Sequence, residues 1–328
     1  MFRAKAEFFN DSLKLRALTM EHTETETKLA EEIVDAMGKV HGTHTGFRAV
    51  HAKGLCCKGH FVATPEAANI CVAPHLQGDE IPVTVRFSSG SGKPTRADGA
   101  KDERGMGVKF HLPDGKATDI VSLTLPVFFV RTPEDFLEFL KAQEADPDTG
   151  KPDFDRVGSF IDEHPETKQA VTFVMFSESP ASFANCTFFG IHAFRMRGPG
   201  GGERWVRYRW LPEAGSATLT DEKTRELGKD YLRAELEQRI TSESIIFDLQ
   251  FQLAEEDDDP NDPTTQWPEE RTFVPAGRLT LTEYVDQECA PMVFDPGNLA
   301  EGIERSDDPI LHMRSPAYSV SYERRSQT

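Results

Sequence analysis

The sequence predicts an α+β fold, an antiparallel β-barrel with flanking helices, and three observations carry that expectation. Short runs alternate apolar and polar residues at the two-residue period of a half-buried strand. Gly and Pro clusters punctuate these runs. Segments with the helical period stand at both ends.

Taken in order, the opening segment to about residue 40 reads as a helix, with Leu29, Ile33 and Met37 on one face and Val40 continuing it. From Phe47 to about Val130 the period changes. In IPVTVRFSS, Val83, Val85 and Phe87 share one face and Thr84, Arg86 and Ser88 the other, and GMGVKFHL repeats the pattern through Val108, Phe110 and Leu112. A helix is expected from Thr132-Pro133. FFGIHAFRMR and RWVRYRWLP, joined by GPGGGE, read as a hairpin. KDYLRAELEQRI is helical through Leu232, Leu236 and Ile240, and SIIFDLQFQLA is a strand with Phe247, Leu249, Phe251 and Leu253 on one face. EEDDDPNDP reads as a solvated acidic loop, since it lacks the order of a calcium loop. One domain is expected: an N-terminal helical arm over 1–45, a barrel with inserted helices over 46–285, and a wrapping segment with a terminal helix over 286–328.

Composition narrows the function. The 328 residues carry a net charge of −18, which argues against a protein that tracks nucleic-acid phosphates. No apolar run reaches the ~20 residues of a membrane span, and no secretory leader is evident, so a cytoplasmic location is expected. With 23 Phe against 5 Tyr and 3 Trp, rings without polar atoms dominate the filling. The 5 Cys are odd in number and lack metal spacing, so buried, inert thiols are expected rather than disulfides. SSGSGKPT lacks the first glycine of a phosphate loop, and the ten His show no zinc-site spacing.

Three stretches stand out together: FRAVHAKG at 47–54, VRFSSGSGKPTRADGAKDERGMGVKFHLPDG with TDIVSLTLPVFFVRTPEDF across 85–136, and VFDPGNLAEGIERSDDPILHMRSPAYSVSYERR at 293–325. In this order they resemble the haem catalase family, especially its small catalase-related peroxidases, and the resemblance runs from about residue 45 to the end. It implies haem b, and the residue types suit that cofactor, which needs an axial ligand, cations for two propionates, apolar faces and a distal acid–base. By resemblance, Tyr318 of RSPAY is the axial ligand of the haem iron. Such a ligand works as phenolate, which a guanidinium beside it favours, and Arg314 stands four residues upstream. Ser315-Pro316 reads as an N-cap followed by proline at the first helical position, which starts the helix there and leaves Arg314 outside it.

The resemblance further implies His51 as the distal catalytic histidine, Ser88 as its hydrogen-bond partner, and Arg48, Arg86 and Arg325 as propionate ligands. Val50, Phe129 and Phe136 join the cofactor contacts, Phe128 pairs with Phe129 in the distal pocket, and Asp102 matches an acidic channel residue. The distal asparagine of catalases falls on Leu123 in an ungapped count, with Thr124 taken as the polar residue serving there after a one-residue slip. Gly90 stands where the family has a channel-narrowing valine. The chain also ends soon after Arg325, without the C-terminal regions of full-length catalases. The implied activity is reduction of hydrogen peroxide or organic hydroperoxides by a small organic reductant. Dismutation of hydrogen peroxide, a haem isomerase or dehydratase acting on lipid hydroperoxides, and a haem carrier or sensor are the alternatives. Family members commonly assemble as homo-oligomers.

Overall fold

The computed structural model describes residues 23–327 except 147 and 287; the first 22 residues of the expected arm lie outside the described residues. The strands are β1 (Gly54–Ala63), β2 (Glu80–Ser89), β3 (Arg104–His111), β4 (Ala117–Leu123), β5 (Ser179–Pro180), β6 (Phe188–Phe189), β7 (Phe194–Arg197), β8 (Glu203–Pro212), β9 (Thr218–Leu219), β10 (Ile245–Leu253), β11 (Phe273–Tyr284) and β12 (Ile303–Arg305), of which β5, β9, β11 and β12 were not read from the sequence. A ring of eight strands, β1-β2-β3-β4-β6-β8-β10-β11, closes on itself, every pairing antiparallel. Closure gives each of these strands two neighbours and removes the free edge of an open sheet. The expected hairpin is β7–β8, which continues from the ring into β12.

Phenylalanine fills the barrel as its abundance suggested. Phe61, Phe87, Phe110, Phe188, Phe247 and Phe251 are fully buried with Trp210. Phe61 meets Phe110 edge-on at 5.3 Å, and Phe87 stacks on Phe183 at 5.2 Å. The polar face of β2 differs from a solvated outer face: Thr84, Arg86 and Ser88 are buried as well. Elements packed outside the barrel cover that face.

The helices are α1 (Glu24–His41), α2 (Pro65–Ile70), α3 (Pro133–Gln143), α4 (Phe154–Glu163), α5 (Thr167–Phe176), α6 (Asp221–Leu227), α7 (Tyr231–Ile240) and α8 (Pro309–Ser326). Thr23 and Glu26 form a capping box that starts α1. The α1 face of Ala30, Ile33 and Met37 packs on Leu137 and Leu140 of α3 and Met313 of α8, making a second core beside the barrel. Thr132 caps α3 and Pro133 follows at a tolerated first-turn position. In α8 the expected start is corrected. Asp308 is the N-cap, accepting from the N–H groups of Ile310 and Leu311, and Pro316 lies inside the helix, so Arg314 is helical.

Two further outcomes concern charge and sulfur. In the acidic loop, Glu255, Asp257 and Asp258 converge on Arg271 at 2.7–2.8 Å; Glu255 and Asp257 stay exposed, as expected of a solvated loop, while the Asp258 side chain is buried. Cys56 and Cys289 form a disulfide, against the expectation of free thiols. Cys57, Cys71 and Cys186 are buried free thiols, and burial pushes Cys57 and Cys186 up to about 12, which keeps them in the unreactive thiol form. No helix among the described residues is long and apolar enough to cross a membrane.

Candidate active site

The segment entering β1 places His51 with φ +54°, a left-handed conformation that non-glycine residues adopt at a cost. Two main-chain bonds hold it there: His51 N–H to Gly90 O at 2.8 Å and Ala52 N–H to Ser91 O at 3.1 Å. The ring then lies with Nδ1 3.1 Å from Ser88 Oγ. β2–β3 register sets Gly105 opposite Ser88, and a Cβ there would come within 2.8 Å of Ser88 Oγ and 3.0 Å of His51 Nδ1. The close approach needs glycine. With Nδ1 engaged, Nε2 is the ring nitrogen left for chemistry. Burial, reinforced by Arg86, Arg314 and Arg48, lowers His51 to about 3, so the imidazole is neutral near pH 7.

His51 faces a cavity of about 620 Å³ whose lining includes Arg314 and Tyr318 of α8. Arg314 Nε donates to Tyr318 Oη at 3.0 Å, and its Nη2 donates to the same oxygen. Its Nη1 meets His192 Nε2 at 3.1 Å, and His192 Nδ1 meets Asp308 Oδ2 at 2.6 Å. Because the guanidinium can only donate, His192 accepts at Nε2 and carries its proton at Nδ1 toward Asp308. Desolvation lowers His192 despite Asp308, in keeping with a neutral ring. Asp308, His192, Arg314 and Tyr318 thus form one chain of hydrogen bonds.

A cationic group lies nearby. Arg48 Nη2 donates to Cys289 O at 2.9 Å and Met292 O at 2.8 Å, Arg86 Nη2 to His51 O at 2.8 Å, and Arg325 Nη2 to Met292 O at 3.0 Å. Burial first, then Arg86 and Arg325, pulls Arg48 well below the usual guanidinium range. Burial, then Arg325, takes Arg86 to about 9. Buried cations that repel one another make a site that favours anions. Val50, Phe128, Phe129 and Phe136 supply apolar walls, with Phe128 and Phe136 ring centres 5.2 Å apart.

The structure brings His51, Ser88, Arg48, Val50, Arg86, Phe129, Phe136, Arg314, Tyr318 and Arg325 to this one cavity. Thr124 is the exception and the expectation for it is corrected. Its Oγ1 accepts from Arg104 N–H at 2.9 Å, and it lines a neighbouring cavity, because it points away from the face that Leu123 presents. Leu123 stands opposite Gly105 in the β3–β4 ladder and lines the His51 cavity. Gly90 does not leave an open gap: a Cβ there would lie 2.0 Å from Glu103 Oε1, so the Glu103 carboxyl holds that space. Asp102 lines the cavity, accepting from Ser91 N–H at 3.1 Å. His192, Asp308 and Glu103 were not singled out from sequence. The Asp-Pro helix start at 308–309 was a readable signal for one of them; a lone His and an unpatterned Glu offered none.

A phenol oxygen held by a guanidinium, buried cations held by carbonyl oxygens, aromatic walls and a neutral imidazole together fit a haem. The catalase family model matches residues 26–327. A catalase-related peroxidase of Synechococcus elongatus is 36% identical over 300 residues, covering 90% of this chain and 88% of that protein. One of Mycolicibacterium paratuberculosis is 36% identical over 300 residues, covering 90% and 94%. Among solved structures, a fungal catalase superposes with a TM-score of 0.78 at 25% identity, covering 86% of this chain and 60% of that one. A bacterial catalase gives 0.77 at 27% identity, covering 86% and 58%, so this chain spans about three fifths of each. The chain belongs to the catalase family of oxidoreductases.

Proposed function

We propose that the protein is a haem b peroxidase that reduces hydrogen peroxide or organic hydroperoxides with a small organic electron donor. The observation that carries this reading is the single cavity that places the neutral, Ser88-held His51 and the Arg314-held Tyr318 on shared walls. Tyr318 would ligate the iron, Arg48, Arg86 and Arg325 would hold the propionates, and Val50, Phe129 and Phe136 would pack on the macrocycle. Bound there, the haem would supply the electrons that peroxide reduction takes up and recover them from the donor. The protein's own residues handle protons and charge. His51 Nε2 takes the proton of the peroxide hydroxyl and returns it to the oxygen that departs as water or alcohol. Ser88 Oγ keeps Nδ1 engaged, so the exchange stays on Nε2. The Asp308–His192–Arg314 chain fixes the guanidinium that donates to Tyr318 Oη.

Dismutation is the weaker reading because hydrocarbon from Leu123 lines the cavity where an amide would orient peroxide. The test is the absorption spectrum of protein reconstituted with haem b, before and after peroxide, with donor oxidation and oxygen release measured together. Donor oxidation should exceed oxygen release. Tyr318→Phe should alter the spectrum or abolish binding; an unchanged spectrum at full occupancy would overturn the ligand assignment, and a wild-type protein unreactive to peroxide would overturn the function.

A further inference from the structure

Glu103 and Gly90 form a compensating pair. Gly90 N–H donates to Glu103 O at 2.9 Å, and the Glu103 carboxyl fills the volume beside the Gly90 Cα. Glu103, just before β3, and Gly105 and Gly107 within it all line the His51 cavity. Gly105 lies against the His51 ring, and Glu103 stands two residues before it at the entry to β3. Leu123 is opposite Gly105 and therefore diagonal to Glu103. The carboxyl also stands between two cavities, since Asp102 and Glu103 line both the His51 cavity and its neighbour.

We propose that Glu103 is a substrate-positioning residue, whose carboxyl, paired with Asp102, hydrogen-bonds the incoming hydroperoxide where Leu123 offers hydrocarbon. The inference rests on the peroxidase reading above and names the group that orients its substrate. Burial and the adjacent Asp102 raise the Glu103 carboxyl to about 8, so near pH 7 the pair carries a proton and presents both donor and acceptor. The charged groups acting on it are Asp102 and Arg104 beside it in sequence; Lys93, Arg96, Lys101 and, from α1, His41 share the His51 cavity with it, and Lys168 and Glu178 share the neighbouring one. Asp102 is itself within 3.5 Å of Arg96. As pH rises through about 8 the pair becomes two carboxylates, and orientation of the hydroperoxide is lost.

The experiment uses the haem-loaded full chain with hydrogen peroxide and cumene hydroperoxide. Wild-type kcat/KM should fall on the alkaline side. Glu103→Gln should keep kcat/KM within roughly threefold and lose that alkaline limb, because an amide hydrogen-bonds without titrating. Glu103→Ala should lose roughly tenfold in kcat/KM through KM, the scale of one hydrogen bond. Gly90→Val combined with Glu103→Ala refills the volume with hydrocarbon and should stay low. In the infrared, the C=O stretch of a neutral carboxylic acid should be present in wild type at pH 7 and absent from Glu103→Gln. An active wild type whose Glu103 variants keep its kinetics and pH profile overturns the inference while leaving the peroxidase reading standing. Full recovery in the double variant overturns it as well, since volume would then be the whole role.

Discussion

Leu123 lies opposite Gly105, and Gly105 lies against His51, so the side chain at 123 meets the space above the imidazole. It packs with Leu125 and Ile191 and against Phe128 and Phe129, a setting that suits hydrocarbon. Replacing it with an amide trades packing for orientation. Leu123→Asn should raise the ratio of oxygen release to donor oxidation, by no more than the ~10²–10³ that one preorganised donor is worth. Burying the amide without a partner costs about 1–3 kcal/mol, so urea unfolding should be measured alongside. Thr124→Asn should leave the ratio unchanged, because that side chain bonds to Arg104 N–H and serves the neighbouring cavity. A gain in Thr124→Asn, with none in a folded Leu123→Asn, would overturn this account. Period-two alternation makes adjacent residues opposite in destination, which is why a one-residue ambiguity in sequence became a decisive question in structure.

Helix α8 carries both a fold signal and a site signal in one residue. Asp308 Oδ1 caps the helix while Oδ2 meets His192, so the carboxylate joins the start of the helix to the guanidinium four residues before Tyr318. Asp308→Ala removes both contacts; a lost cap at about 1 kcal/mol and a buried His192 donor left unpaired at about 1–3 kcal/mol predict a loss of about 2–4 kcal/mol. Asp308→Asn keeps a capping oxygen but removes the charge opposite His192. It should cost about 1–3 kcal/mol in denaturant unfolding of the haem-free protein, less than Asp308→Ala by the share of the cap, because the amide nitrogen leaves the His192 Nδ1 donor unpaired, and it should still alter the spectrum of the haem-bound form. Equal stability losses in the two variants would show that capping is not a separate contribution. The sequence offered two helix starts of the same kind, Asp308-Pro309 and Ser315-Pro316. Local rules cannot choose between them. Packing chose the first: Pro316 is buried, and Ser315 Oγ donates to Asp295 inside the fold at 3.0 Å. Strands β2, β3, β8 and β10, by contrast, were legible through the two-residue period, whereas β11, with the mixed run FVPAGRLTLTEY, was not.

At the scale of the molecule, what local patterns could not convey is long-range pairing. Closure of β8 on β10 and the Cys56–Cys289 bond join residues whose neighbours in sequence say nothing of one another. The disulfide spans a sequence separation of 233, ties β1 to the segment after β11, and has both half-cystines buried. That segment does site work. Cys289 O and Met292 O receive Arg48, Met292 O receives Arg325, and Val293 and Phe294 line the cavity. Cross-linking so long a loop removes chain entropy worth up to ~5 kcal/mol from the unfolded state. The realised gain is smaller where the β1–β11 ladder already holds the same ends together. Cys56→Ser with Cys289→Ser should therefore lower the free energy of unfolding by about 2–4 kcal/mol. It should also weaken haem retention, because the loop that seats Arg48 and Arg325 loses its anchor. Thiol counting in denaturant supplies the control: the wild-type chain should expose 3 free thiols without reductant and all 5 Cys with it. If 5 react without reductant, the bond is absent in solution; if 3 react and the double variant matches wild type in both unfolding and haem release, the bond is present but does not hold the site.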